Sequence, residues 1–203
     1  MLLMELYDEL EGLVASLRQE WDEISPQRKE TLRGLRAYLE RTVVPRFNFI
    51  CTHNSRRSHL GMVWAAVAGA VYDRPVATYS GGTEATALNP RMVAALRRAG
   101  FRIEDPGGDN PQYRVHFATD AEPLICFSKR YDHGENPSAD FAAVMTCGSA
   151  DRDCPIVPGA EIRFSLTYAD PKEADDTPQE TQRYDERLRQ IGRELLYAFS
   201  DAP

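Results

Sequence analysis

Apolar residues recur near helical spacing towards both ends of the chain and gather into short continuous runs between them. Leu2, Leu3, Leu6, Leu10, Leu13, Val14 and Leu17 form one such series, and Leu32, Leu35, Tyr38 and Leu39 form another. The pattern predicts two amphipathic helices over residues 1–41. Ser25-Pro26 divides them, a capping residue followed by a proline suited to the first helical turn. Residues 43–50 make the first apolar run, which predicts a buried strand, and a helix-compatible stretch follows over 58–71. A short strand is expected at 76–80. A short helix is expected at 91–99, between the Asn89-Pro90 start signal and Gly100.

Residues 101–109 are rich in turn formers, and the short β-like runs 113–117 and 124–128 read as a hairpin. Residues 129–139 are polar and read as a loop. A buried strand is predicted at 141–146 and a last strand at 163–167. Thr177-Pro178-Gln179-Glu180 opens a final helix reaching about residue 199, with Tyr184, Leu188, Ile191, Leu195 and Leu196 on its buried face. Strands alternating with helices across short links imply an α/β fold on a parallel sheet with right-handed crossovers. The helices of residues 1–42 precede the first strand and read as an extension. They either pack against the main domain of residues 43–203, or cover its site or form a dimer.

Charge and cysteine content narrow the chemistry. The 203 residues carry a formal net charge of −7, which argues against nucleic acid as a partner. No apolar run reaches membrane-spanning length, and the acidic start lacks the basic region of a signal peptide, so a cytoplasmic protein is expected. In that compartment the four cysteines are reduced, and are catalytic or metal-binding rather than a disulfide framework. Zinc sites use close Cys-x2-4-Cys pairs, which this chain lacks, so no metal is expected.

The chemistry centres on Cys51-Thr52-His53-Asn54-Ser55-Arg56-Arg57-Ser58. A strand here delivers a thiol into a turn capped by a helix N-terminus. Backbone N–H groups of residues 52–58 and the helix dipole would converge on one spot, an oxyanion site. The same field favours the thiolate of Cys51, the nucleophilic form. Arg57 offers a planar fork that matches two oxygens of a tetrahedral anion, and Arg56 adds positive charge. Cys147 ends the strand 141–146 as Cys51 ends 43–50, and Cys154 follows seven residues later, so three thiols share one sheet edge and suggest a relay. Asp170-Pro171 places a carboxylate at the end of the last strand, where a general acid could protonate a leaving oxygen. His116, His133 and Cys126 carry no assigned role.

These residues resemble a known family. The stretch Cys51 to Ser58 is similar to the phosphate-binding loop of low-molecular-weight protein tyrosine phosphatases and of the thioredoxin-coupled arsenate reductases that share their fold. Ser80-Gly81-Gly82-Thr83 with Asn89-Pro90, and Asp170-Pro171, resemble segments kept by both groups. Cys147-Gly148-Ser149-Ala150-Asp151-Arg152-Asp153-Cys154-Pro155 resembles the redox segment of the reductases. The likeness covers about residues 43–199, with residues 1–42 and an insertion at about 110–139 as additions. It implies a three-layer sandwich around a central, mainly parallel four-stranded sheet. It further implies that Cys51 attacks arsenate, Asp170 protonates the departing oxygen, and Cys147 then Cys154 carry the disulfide to thioredoxin, with no bound cofactor. Met62 stands near the glutamate of the potassium-binding reductases, so no potassium site is expected. The alternative is a low-molecular-weight protein tyrosine phosphatase that hydrolyses phosphotyrosine or a small phosphoester through a phosphocysteine, with the other thiols protecting Cys51. On either reading the ligand is a small oxyanion such as arsenate, phosphate or sulfate.

Overall fold

The sheet is built around β1, Arg46–Cys51, which is hydrogen-bonded on both sides and has every residue after Arg46 buried. In the computed structural model, which describes residues 4–202 except 155, the strand order is β2-β1-β6-β7. The other three strands are β2, Ala77–Gly82; β6, Phe141–Met145; and β7, Ala160–Ser165. All three pairings are parallel, so the sheet expected to be mainly parallel is parallel throughout. Its first strand begins later than the apolar run. Val43 and Val44 are exposed, because β2 starts pairing only at Ala77 opposite Arg46 and offers no partner further back. Apolar composition alone did not set that boundary.

Side-chain alternation divides the core in two. On β6, Ala142 and Val144 face the large core, while Phe141, Ala143 and Met145 face a smaller cluster with Ile50. The large core is filled from α3, Arg57–Val71, and α6, Glu180–Phe199, which pack on each other and on the sheet. The helix α1, Asp8–Arg18, and the helix α2, Pro26–Arg41, lie against α6 and contribute Leu10, Val14, Leu17, Leu32 and Leu35 to the same core. The N-terminal helices therefore pack as part of the domain. The smaller cluster is covered by α5, Gly148–Asp153, and by Tyr131. The central sheet thus lies between two layers, as the sequence led us to expect.

Several local expectations change, among them the last strand, expected at 163–167, which spans Ala160–Ser165. Leu6 is not helical: it bridges Ala118 in extended form, and Tyr7 N–H donates to Phe117 O at 3.2 Å, so the inserted strands satisfy this backbone. The expected hairpin is a three-stranded antiparallel sheet of β3, Arg102–Glu104; β4, Tyr113–His116; and β5, Leu124–Cys126. The strand β3 falls in the segment read as turns, since three residues give too short an alternation to register. The helix α4, Pro90–Arg98, starts as expected with Asn89 accepting from Arg91 N–H. The helix α6 starts at Glu180 with Gln179 as its N-cap, because the Thr177 hydroxyl organises the turn ahead of it, donating to Ala174 O and accepting from Gln179 N–H at 3.3 Å. Leu2, Leu3 and Pro155 lie outside the described residues. Among the described residues no helix is long and apolar enough to cross a membrane.

The α3–α6 contact is tight enough to exclude a methyl group. A Cβ at Gly192 would stand 2.6 Å from the ring of Trp64, which is itself fully buried against Phe101. Helix propensity alone would have Gly192→Ala gain about 1 kcal/mol. Overpacking costs about 1–3 kcal/mol, so with the propensity gain subtracted the variant is expected to be destabilised by up to about 2 kcal/mol. The check is a lowered urea midpoint with an unchanged denaturant slope.

Candidate active site

The loop after β1 is shaped by what its carbonyls bind. Cys51 O accepts from Thr83 N–H at 3.1 Å, Thr52 O from Glu84 N–H at 2.8 Å, and Ser55 O from Asn89 N–H at 3.0 Å. Side chains take the others: Ser128 Oγ donates to His53 O at 2.8 Å, and His59 Nε2 lies 3.0 Å from Asn54 O. Arg56 O accepts from Leu60 N–H within the first turn of α3. Every carbonyl from Cys51 to Arg56 is therefore drawn outward. A planar peptide sends its N–H the opposite way, and the N–H groups of Thr52 to Arg56 donate to no other described residue. They are left for an anion. The helix α3 strengthens the site, since its N-cap residue Arg56 makes no side-chain capping bond that would occupy the first-turn N–H groups.

Two close approaches hold this loop in place. A Cβ on Gly82 would meet Thr52 O at 2.7 Å and Asn54 N at 2.8 Å, so only glycine lets β2 run so near the loop. Asn54 adopts φ +46°, the left-handed region that asparagine tolerates better than most residues. Its Oδ1 accepts from Lys129 N–H at 2.9 Å, which leaves its Nδ2 to donate to Ser58 Oγ at 2.8 Å. With its oxygen already accepting, the Ser58 hydroxyl has its own proton for Cys51 Sγ, 3.1 Å away. The chain of donors from Asn54 through Ser58 ends on sulfur and stabilises the thiolate.

His59 completes the inner network. Full burial and the positive charge of Lys129 lower its pKa from 6.5 to about 3. The ring is therefore neutral at working pH. Asn54 O can only accept, so Nε2 carries the proton and Nδ1 accepts from Ser80 Oγ at 3.1 Å. Cys126, by contrast, is fully buried in the core, and burial pushes its thiol up to about 12, which makes it inert.

The two arginines of the loop go separate ways. Arg57 Nη2 donates to Asp170 Oδ2 at 2.5 Å and Nη1 to Tyr168 O at 2.9 Å, while its buried Nε has no partner among the described residues. Arg56 turns away: Nε donates to Tyr184 OH at 2.7 Å and Nη2 to Asp175 Oδ2 at 3.3 Å. What Arg56 can offer an anion directly is its N–H. The side chain of His53 is half exposed, 3.6 Å from Glu84, and likewise leaves the loop only its backbone.

Cys51, Cys147 and Cys154 share the small apolar cluster, and all four cysteines of the chain are free thiols. Thr52 Oγ1 lies 3.4 Å from Cys147 Sγ, which ties the nucleophile's loop to the second thiol. Cys147 is the N-cap of α5, and its sulfur accepts from Ala150 N–H at 3.4 Å. Cys154 is the C-cap and is less buried. Arg163 on β7 clasps the helix, donating to Asp151 O, Asp151 Oδ1 and Cys154 O. Among the described residues no group of three or more His, Cys, Asp or Glu side chains could hold a metal ion. A cavity of about 730 Å³ lies between the end of α3, the start of β2 and the inserted sheet, and contains no residue of the 51–58 loop.

Comparison with known proteins fits this geometry. An arsenate reductase of Bacillus licheniformis is 30% identical over 154 residues, covering 75% of this chain and 93% of that protein. The chain belongs to the arsenate reductase family. A second arsenate reductase, from Bacillus subtilis, is 30% identical over 149 residues, 72% of this chain and 89% of the relative. No family model matches the chain. Among solved structures, a low-molecular-weight protein tyrosine phosphatase from T. tengcongensis has a TM-score of 0.52 at 14% identity, covering 75% of this chain and 96% of that one. A YwlE mutant from Bacillus subtilis has a TM-score of 0.50 at 13% identity, covering 76% and 96%. These two share the fold.

Sequence reasoning brought Cys51, Arg57, Ser58, Asp170, Cys147 and Cys154 to one end of the sheet, and this reductase fold assembles them there. It gave no role in the site to His59, Ser128, Lys129 or Asp175, and named Ser80 and Tyr184 without their contacts to His59 and Arg56. One signal was available: a histidine in the otherwise apolar run 59–71 demands a buried polar partner.

Two outcomes follow from the inner network. A hydrogen bond to a charged group is worth about 1.5–3 kcal/mol. Ser58→Ala should therefore slow alkylation of Cys51 by iodoacetamide at neutral pH by about 10–100-fold. His59, depressed in the folded state, contributes stability that is complete above pH 6.5 and is lost as the pH falls towards 3. Urea titrations should show the loss of stability between pH 7 and pH 4 to be smaller in His59→Gln than in the native chain.

Proposed function

We propose that this reductase converts arsenate to arsenite through a relay of Cys51, Cys147 and Cys154 that a thioredoxin-like dithiol protein resets. The observation that carries the reading is the shared cluster of three free thiols beside the ring of inward-turned loop N–H groups. Arsenate enters the ring and takes Arg57, whose fork matches two of its oxygens. Cys51 thiolate attacks arsenic, and the departing oxygen leaves as water with a proton from Asp170. An ion pair joins charged partners, so Arg57 and Asp170 must part, and Asp170 must gain a proton, before this step.

Cys147 thiolate then attacks Cys51 Sγ. The S–S bond forms, the S–As bond breaks with its electron pair going to arsenic, and arsenite leaves. Cys154 attacks Cys147 Sγ in turn and frees Cys51 as thiolate. The six-residue helix α5 sets Cys147 and Cys154, seven steps apart along its axis, about 10 Å from each other. A disulfide needs Cα atoms roughly 4.4–6.8 Å apart, so α5 has to unwind. The chemistry itself loosens the helix. Once the sulfur of Cys147 is bonded to Cys51 it is a poorer acceptor for Ala150 N–H, and α5 loses its N-cap. The external dithiol then reduces the Cys147–Cys154 disulfide; no bound cofactor enters the cycle, and the cytoplasm supplies such a reductant.

The test couples the protein to thioredoxin, thioredoxin reductase and NADPH and follows NADPH absorbance. Arsenate-dependent oxidation is expected, falling at least about 100-fold in Cys51→Ser, Cys147→Ser and Cys154→Ser, since removing a covalent participant abolishes its step. Full turnover in Cys147→Ser would overturn the relay. Aryl phosphate hydrolysis without arsenate-dependent oxidation would instead favour a phosphatase.

A further inference from the structure

The segment after Asp170 is fastened to the loop at two points. Asp170 pairs with Arg57, and Asp175, just past the 3-10 turn Pro171–Ala174, pairs with Arg56. Consecutive arginines thus grip two carboxylates five positions apart. The second grip is the more elaborate. Tyr184 OH accepts from Arg56 Nε at 2.7 Å and donates to Asp175 Oδ1 at 2.8 Å, which closes a ring of three side chains. Tyr184 is buried, and the side chains of Arg56 and Asp175 are 12% and 17% exposed, so this pair is screened far less than a surface one. Arg91 on α4 adds a bond to Asp176 at 2.6 Å and lies 3.8 Å from Asp175.

The two grips do not survive catalysis equally. An oxyanion in the N–H ring competes with Asp170 for the fork of Arg57. Once Arg57 turns to substrate, Asp170 keeps only the bond its Oδ1 accepts from Lys172 N–H, which lies within its own turn and fixes nothing to the loop. The Arg56–Asp175–Tyr184 ring is made by side-chain atoms alone and uses neither a loop N–H nor the fork of Arg57, so it persists. We propose that Asp175, held by Arg56 and Tyr184, is a positioning residue that keeps Asp170 over the site after substrate has taken Arg57. The inference rests on Asp170 being the general acid of the relay proposed above. It gives Arg56 a role that its place in the loop would not suggest: it holds the acid segment, while Arg57 holds the anion.

The test is single-turnover reduction: fully reduced protein is mixed with arsenate, quenched, and its remaining thiols counted. At saturating arsenate, Asp175→Asn is expected to slow thiol loss about tenfold, part of the 10²–10⁴-fold that a placed acid contributes. The arsenate concentration for half-maximal rate, and phosphate affinity measured by calorimetry in a Cys51→Ser background, should stay unchanged. Tyr184→Phe should act in the same direction, and it keeps the test decisive if Asp175→Asn does not fold. Asp175→Glu, which keeps the carboxylate, should recover most of the rate. Asp170→Asn with Asp175→Asn should be no slower than Asp170→Asn alone, because an acid already absent cannot be misplaced. A native rate in Asp175→Asn and Tyr184→Phe, or a double variant slowed by the product of the single effects, would overturn the proposal. Unchanged thiol loss in Cys51→Ser or Asp170→Asn would instead sink the underlying mechanism.

Discussion

The outward pull on the carbonyls of residues 51–56 is the constraint on which the rest of the site depends. Each peptide plane has two polar ends, and a buried turn must satisfy both. Here Thr83, Glu84, Asn89, Ser128 and His59 bind the carbonyl ends from outside. The N–H ends are thereby committed to the inside, where no acceptor among the described residues meets them. Residues far apart in sequence converge to impose this: β2 and the segment after it, the loop after β5, and the start of α3. An anion can supply what the fold withholds. That is how a chain of net charge −7 can build a site for an oxyanion without a strongly basic surface.

The same economy divides the labour of the charged groups. Lys129 is buried and lies near His59, and its backbone also fixes Asn54. Arg57 is bound to the acid segment, and the proposed mechanism has it exchange that segment for the anion. Arg56, its neighbour, is locked into a ring with Asp175 and Tyr184. The redox half is built differently. It relies on a six-residue helix, α5, whose N-cap is the sulfur of Cys147. A helix so short is marginal without its cap and its clasp from Arg163. The element that the proposed relay must rearrange is thus the one least able to hold itself.

What could be read from the sequence was what is local. Strand, thiol, turn and helix follow one another over 46–71, so Cys51, Arg57 and Ser58 were legible together, as were the Cys147–Cys154 spacing and the Asp170-Pro171 turn. The partners that shape the loop arrive across long sequence distances: Ser80 and Ser128 on His59 and His53, and Tyr184 on Arg56. No spacing rule announces such contacts. Boundaries failed where pairing, and not composition, decides them. Val43 and Val44 are apolar but have no neighbouring strand, whereas Arg102–Glu104 is too short to show alternation yet is paired along its length with β4.

The most direct test of the account is to trap the first disulfide. Cys154→Ser protein, reduced and then exposed to arsenate, would be digested without reductant and its peptides weighed by mass spectrometry. The account predicts one linked peptide pair joining Cys51 to Cys147, formed in proportion to arsenite released, with Cys126 still a free thiol. Arsenite released while Cys51 and Cys147 both remain free thiols, or a disulfide that includes Cys126, would contradict it.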